Sequence, residues 1–250
     1  MKVLVYKVSG GLNHMITQIN RAVFASGLSG RHLIIDTYGG AFCNDFNKYF
    51  IIPGVEYSTN YHLLDNEKYK GFIENDAQYQ KGIYYLEGET LNLRLNNVIN
   101  DKPVIFCSMI ACPDHEYVKV RKSVTDTIAN PIKEKYIGVH FRNTDRKNNI
   151  KDFVREINKI PCNLVYLATD DYSAFENLKT LTDKKVIQYT KPPDFGGQRV
   201  HYNHPDVDQC IMDSLTDMYY LIHATYFIPS VPSGFSKRVI KNRENYKFFT

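Results

Sequence analysis

The residues best placed by type and spacing to do chemistry are His140, Arg142 and Asp145, within Tyr136-Ile-Gly-Val-His-Phe-Arg-Asn-Thr-Asp-Arg146. An arginine at this place suits an anion, because its planar fork makes paired, charge-assisted hydrogen bonds to phosphate. A strand end whose Arg142 pairs with Asp145 on the surface would have the same spelling and do no chemistry. Asp170-Asp171 is a second candidate. Adjacent acids can bind metal, orient sugar hydroxyls or cap the next helix, and Asp171 as an N-cap is the simplest of these. Asp213 and Asp217 stand four apart on one helical face, opposite Leu215, Met218 and Ile222, as a binding pair or as a solvated acidic face. Ser233-Gly234-Phe235-Ser236 places small residues at a helix start. Backbone N–H groups and the helix dipole suit a phosphate there, and an ordinary N-cap would look alike.

The first half of the chain offers less. Gly10-Gly11 lets the backbone approach a ligand closely just before a helix, although a tight turn without a ligand uses the same pair. His14 lies just beyond and could act as a general base near neutral pH, or serve structure alone. His201 and His204, with Asp206 and Asp208, could bind a metal, but their spacing is loose. The G-x-G-x-x-G and G-x-x-x-x-G-K-[ST] fingerprints are absent.

The elements that must position these residues follow an α/β pattern. A strand at 2–8, the glycine turn, a helix over 12–28 ending at Gly27 and Gly30, and a strand at 31–36 make one βαβ unit. In that helix Leu12, Met15, Ile16, Ile19, Val23 and Ser26 recur near the 3.6 period. Residues 37–102 read as irregular, with a short helix within 42–50 and strands at 55–58, 71–74 and 82–87. A buried strand is expected over 102–108 and a helix over 115–129. A second α/β series then begins: strands at 135–142, 163–169, 184–189 and 225–229, and helices at 150–160, 172–182 and 206–223, with a last helix opening at Ser233. The loop 190–206 is rich in Pro, Gly and His, as functional lids often are. Asn130-Pro131 marks a boundary, dividing residues 1–130 from 131–250. Ligands of open α/β sheets sit beyond the carboxyl ends of the strands, where Arg142 and Asp170 fall, and pockets favour a cleft between two domains.

Composition narrows the classes. The chain has 250 residues, 43% hydrophobic content, 19 Tyr, no Trp and a formal charge of +4. That charge is far below a nucleic-acid footprint, and no basic stripe alternates with aromatics, so nucleic acid is not an expected partner. No apolar run of about 18 residues suggests a membrane span, and Lys7 interrupts an N-terminal core too short for a signal peptide. The five cysteines, Cys43, Cys107, Cys112, Cys162 and Cys210, are scattered without zinc-finger spacing. Free thiols in the cytoplasm are the expectation.

Taken together, these stretches resemble the GDP-fucose fucosyltransferase superfamily: the α1,6-fucosyltransferases, the nodulation fucosyltransferases and the protein O-fucosyltransferases. Gly10-Gly11-Leu12-Asn13-His14-Met15, followed by Gly30-Arg31-His32-Leu33-Ile34-Ile35, looks like the family's N-terminal glycine motif and second strand. Ile137-Gly-Val-His-Phe-Arg-Asn-Thr-Asp145 looks like its H-x-R-x-T-D motif, and Leu167-Ala-Thr-Asp-Asp171 like its A-T-D-D strand end. Asp217 to Val239 resembles its C-terminal donor motif. The motifs occur in the family's order over nearly the whole chain, with none in 37–130. The resemblance implies a GT-B-like fold: two Rossmann-like domains facing a cleft, the acceptor on the first and the donor nucleotide on the second.

It further implies an inverting, metal-independent transfer of fucose or a related sugar from a GDP-sugar to a glycan or glycoprotein hydroxyl, with no cofactor. Arg142 would bind the donor diphosphate, His140 and Asp217 the nucleoside and Ser233 the phosphate. Gly10, Gly11, Asp145, Asp170, Asp171, Gly234, Phe235 and Ser236 complete the donor side, and His14 is the base. Several members carry Asn or another polar residue at the His14 position. Two other classes fit parts of the pattern. One is a silent nucleotide-sugar or glycan-binding protein that keeps the motifs without turnover. The other is a sugar epimerase or reductase, against which the missing G-x-G-x-x-G counts.

Overall fold

The structure is a computed structural model. It describes residues 2–8, 10–37, 45–60, 92–94, 104–107, 109–113, 115–130, 132–144, 147–198, 200–244 and 248–249. The expected strands at 71–74 and 82–87 lie outside the described residues, as do Asp145 and the side chain of His201. The chain divides into two compact units, Met1–Lys122 with Thr250, and Ser123–Phe249. The joint thus falls at Lys122, before the Asn130-Pro131 break. No helix among the described residues is long and apolar enough to cross a membrane.

In the first unit the chain runs β1 (Val3–Lys7), α1 (Leu12–Ser29), β2 (His32–Asp36), α2 (Phe46–Tyr49), β3 (Phe50–Ile51), β4 (Tyr57–Asn60), β5 (Asn92–Arg94), β6 (Val104–Cys107), β7 (Met109–Ala111) and β8 (Lys119–Val120), and α3 (Lys122–Ile128) starts at the joint. A parallel sheet of order β4-β2-β1-β6 forms its centre. β1 and β2 are almost wholly buried, as β-branched and aliphatic runs are in parallel sheets covered on both faces. α1 lays Leu12, Met15, Ile16, Ile19 and Val23 into the core, at the spacing read from the sequence.

The helix expected over 115–129 is only its second part. Asn20, buried on α1, accepts from the N–H groups of Tyr117 (2.8 Å) and Val118 (2.9 Å) and donates to Glu116. Those amides are thereby taken from any helical ladder, and Lys119–Val120 pairs antiparallel with Phe50–Ile51 instead. Gln18 does the same for Ile110 N–H at 2.8 Å.

The second unit follows with β9 (Ile137–Phe141), α4 (Ile150–Lys159), β10 (Leu164–Thr169), α5 (Ala174–Leu181), β11 (Lys185–Ile187), α6 (Val200–Asn203), α7 (Val207–His223), β12 (Tyr226–Ile228) and α8 (Gly234–Glu244). Its parallel sheet has the order β11-β10-β9-β12. Alternation splits the strand residues cleanly. Ile137, Val139, Phe141, Val165 and Leu167 join Phe153, Ile157, Ala174 and Leu178 in one core under α4 and α5. Gly138, His140, Tyr166 and Ala168 point to the other face, toward α7 and α8. Gly138 is required there: a Cβ would stand 2.8 Å from Ala224 Cβ and 3.1 Å from Leu221 Cδ2, so only glycine lets the end of α7 lie on β9. Arg243 of α8 holds that end by donating to the carbonyls of Leu221 (3.0 Å), Ile222 (3.0 Å) and Ala224 (2.5 Å).

Candidate functional site

In the second sheet the chain leaves β9 toward β10 and β11 on one side, then crosses to β12 on the other. β9 and β12 therefore flank the point where strand order reverses, the place where open α/β sheets bind ligands. The residues beyond their carboxyl ends form one connected polar group. Ser230, following β12, accepts from Arg142 N–H at 2.9 Å and donates to the His140 carbonyl at 2.8 Å. This buried hydroxyl bridges the two strands where their ladder has ended. His140 Nδ1 and Ser236 Oγ share a 2.7 Å hydrogen bond, and the His140 ring lies against Phe235 with centroids 4.9 Å apart. Burial, with the Arg142 charge beside it, pushes the His140 imidazole down to about 3, so it is neutral wherever the protein works.

The turn after β9 is clamped to the end of β10. Asp170 accepts from Asn143 N–H (2.7 Å) and from Thr144 Oγ (2.6 Å), and its Oδ2 lies 3.9 Å from Arg142 Nε. The Arg142 side chain remains 23% exposed, so its guanidinium is oriented by protein yet reachable. Asn148 donates its side-chain amide to the Arg142 carbonyl. Asp171 is not the N-cap that its position suggested: Ser173 occupies that place on α5, and Asp171 accepts from Ser173 N–H and Oγ and from the Asn143 amide. Burial alone would raise its carboxyl, but these bonds and the Lys147 ammonium hold it below the usual carboxylate range. Both acids are thus engaged in fixing the Arg142 turn.

α8 begins beside this group. Ser233 and Ser236 are buried, and Ser233 Oγ accepts from Ser236 N–H at 3.4 Å. Gly234 and Phe235 stand in the first turn, so the positive end of the helix dipole is directed at the switch point.

Asp217 departs from the solvated acidic face. It turns in against the sheet, where Oδ1 accepts from Tyr166 OH and from Thr190 Oγ, each at 2.7 Å. Burial pushes its carboxyl up to about 7, against the hydrogen bonds from Thr190 and Tyr166 and helped by the nearby Asp213 charge. Asp213 takes a bond from Gln209 instead.

In the long loop, Asp206 caps α7 through Gln209 N–H at 3.0 Å, and His204 Nδ1 accepts from Asp206 N–H. Among the described residues no three His, Cys, Asp or Glu side chains gather at metal-holding distances.

The first unit carries Gly10, Gly11 and His14. Gly10 takes φ +70°, and a Cβ there would meet the His14 ring at 3.1 Å, so the turn and the histidine pack as one feature. Gly11 stands at the N-cap of α1 without a side-chain bond to the helix. Burial, followed by the Arg21 charge, lowers the His14 imidazole below its ordinary value, leaving a neutral base at neutral pH. Close by, Lys7 and the fully buried Asp36 pair at 3.1 Å across the ends of β1 and β2.

The structure therefore gathers His140, Arg142, Asp170, Asp171, Ser233, Gly234, Phe235 and Ser236 at one edge of the second sheet. Asp217 sits behind the same face, and Gly10, Gly11 and His14 sit at one turn of the first unit. Sequence reading missed Ser230, Asn143, Thr144, Tyr166 and Thr190. Asn143 and Thr144 stand inside the motif already singled out, and Ser230 ends a strand, where a small hydroxyl is itself a signal.

No protein-family model and no curated protein sequence matches the chain. Solved structures do. The Bradyrhizobium α-1,6-fucosyltransferase NodZ, in crystals soaked with GDP-fucose, superposes with a TM-score of 0.62 over 95% of this chain and 91% of its own, at 14% identity. POFUT1 in complex with GDP gives 0.58 over 97% and 96%, at 10% identity. A mutant of Arabidopsis thaliana FUT1 in complex with GDP gives 0.54 over 97% and 68%, at 14% identity. The α/β fold of this chain is the fold of these fucosyltransferases, as the motif resemblance implied.

Proposed function

We propose that the protein is an inverting glycosyltransferase that moves fucose, or a related sugar, from a GDP-sugar to a glycan or protein hydroxyl. The observation that carries this reading is the partly exposed Arg142 guanidinium, 3.9 Å from Asp170 on a hydrogen-bonded turn beside the N-terminus of α8, at the switch point of the second sheet. It is supported by the fold shared with NodZ, POFUT1 and FUT1, whose crystals hold GDP or GDP-fucose.

In this reading the second unit holds most of the donor, with Gly10 and Gly11 contributing to it, and the first unit the acceptor, the GT-B division of labour. Negative charge grows on the leaving diphosphate as the sugar C1–O bond breaks. Fixed donors aimed at that charge lower the barrier, and here Arg142 and the first-turn N–H groups of α8 are the donors. They take the place of a metal ion. His140, neutral and held by Ser236, faces the nucleotide as a hydrogen-bonding group, and Asp217 meets the nucleobase. His14 takes the proton of the acceptor hydroxyl as it attacks C1, and burial keeps it ready to do so.

The test is a thermal-shift screen with GDP, UDP, CDP, ADP and NAD, with and without Mn²⁺, followed by GDP-fucose turnover on a panel of glycan acceptors. A ligand at about 100 times its dissociation constant stabilises by roughly 2.7 kcal/mol, well within reach of such a screen. A GDP shift indifferent to Mn²⁺ is expected. Stabilisation by UDP or CDP in place of GDP would discard the GDP-sugar.

A further inference from the structure

Asp217 is held in an uneven way. Both of its hydrogen bonds, from Tyr166 OH and Thr190 Oγ, fall on Oδ1. Its Oδ2 has no hydrogen-bond or ion-pair partner among the described residues. The two donors are themselves rigid. Tyr166 is fully buried on β10, its ring in a three-way cluster with Tyr220 (4.8 Å) and Tyr189 (5.6 Å), which also touch each other (4.7 Å), and Thr190 is buried just beyond β11. Two fixed donors on one oxygen set the plane of the carboxylate and leave the other oxygen as its single open acceptor.

The place of this acceptor matters. Tyr166 lies on β10 and Asp170 just past its end, four residues on, which is about 13 Å of extended chain.

We propose that Tyr166 and Thr190 are positioning residues for nucleobase recognition: by engaging Oδ1 together, they aim Oδ2 of Asp217 at an N–H edge of the donor's base. The inference rests on the GDP-sugar reading and extends it to side chains that never touch the ligand.

A consequence is a pH-dependent capture step. Only the ionised carboxylate accepts from a base N–H on Oδ2. The groups acting on Asp217 are Tyr166 from β10, Thr190 beyond β11 and Asp213 one turn earlier on α7, whose charge pushes the same way as burial. No described cation pairs with it. The group is raised to about 7, so the base contact is present above that pH and lost as pH falls through it. Removing either hydroxyl removes a bond that favours the ionised form, and the transition moves up.

The experiment is GDP affinity from pH 5.5 to 9 for the wild type, Tyr166→Phe, Thr190→Val and Asp217→Asn. The Asp217→Asn curve supplies the baseline, because it carries the titration of the GDP phosphate and of every other group. Relative to that baseline, the wild type should gain affinity through pH 7. Tyr166→Phe and Thr190→Val should do so about one pH unit higher, with binding up to about tenfold weaker at pH 7 and restored by pH 9. A merely structural loss would not be restored by raising the pH. Thr190→Val keeps the question answerable should Tyr166→Phe not fold. Wild-type and single-hydroxyl curves with the same midpoint would overturn the positioning role and leave the GDP-sugar reading standing. A wild type that binds GDP at no pH would overturn both.

Discussion

Two sheets in this chain share one strand order and differ in what stands beyond their carboxyl ends. In the first, β4-β2-β1-β6, the switch point opens on a glycine turn, one half-buried histidine and the start of α1. In the second, β11-β10-β9-β12, the corresponding edge carries a connected set of polar side chains, with Ser230, Asp170 and Asp171 each holding at least two groups of the Arg142 turn or its neighbours. Topology supplies the location in both, and side chains decide what each location can bind. On the proposed reading the second edge presents its arginine to an anion. The first carries, on the same reading, a histidine base beside a glycine turn. The proposed transfer, which must grip a diphosphate and only briefly deprotonate a hydroxyl, calls for this asymmetry.

The sharpest way to break the comparison is to remove the cation. Arg142→Ala should abolish measurable transfer, a loss of at least about 100- to 1,000-fold in turnover. It should also weaken GDP binding, while circular dichroism and melting stay close to wild type, because the side chain is partly exposed and its acid partner stays engaged with Asn143 and Thr144. Arg142→Lys should recover only part of the activity, since an ammonium cannot reproduce the paired geometry. An active Arg142→Ala enzyme would sink the mechanism.

His14→Ala probes the other edge and should divide differently. Turnover should drop about 100- to 10,000-fold, the usual reach of a general base, with GDP affinity unchanged. Loss of GDP binding in this variant would make His14 a donor contact, like the glycine turn beside it, and would overturn its role as the base.

A third substitution tests the framework beneath the second edge. Gly138→Ala places a methyl 2.8 Å from Ala224 Cβ, where both atoms are tied directly to backbone. Overpacking of this kind costs about 1–3 kcal/mol, seen as a melting temperature lower by several degrees. A neutral Gly138→Ala would mean that α7 slides on β9 more freely than the close contact implies.

Both central sheets were legible in the sequence strand by strand, and the chemistry at the second was more legible than the contacts around it; particular residues show why. Ile137 to Phe141 and Leu164 to Thr169 are nearly unbroken β-forming runs that stop at polar turns, so both the strands and the chemistry at their ends follow from local pattern. Residues 115–118 read as helix because the run is locally compatible with one. What overrides it is Asn20, nearly a hundred positions away, which takes the amides of Tyr117 and Val118. Asp217 was identified by type and spacing, yet its partners Tyr166 and Thr190 lie 51 and 27 positions off and belong to other elements. Tyr166 was hidden inside an apolar run, where a tyrosine reads as filling. Ser230 gains its meaning only once β9 and β12 are known to be neighbours. Residue type is thus visible in sequence, and the identity of a long-range hydrogen-bond partner is not.

The mildest prediction separates a locked edge from one that is merely polar. Asp171 is ionised more readily in the folded chain than in an unfolded one, whose ordinary value is 3.8, because Asn143, Ser173 and Lys147 stabilise its charge. A group depressed in this way contributes its stability in full above the unfolded value and loses it as pH falls below that value toward the folded one. Asp171→Asn keeps the size and removes the titration. The variant should therefore melt slightly below the wild type above about pH 5, and the two melting curves should converge as the pH is taken below 4. Parallel curves across that window would mean that the carboxylate contributes shape alone, and that Asp170 by itself clamps the turn that presents Arg142.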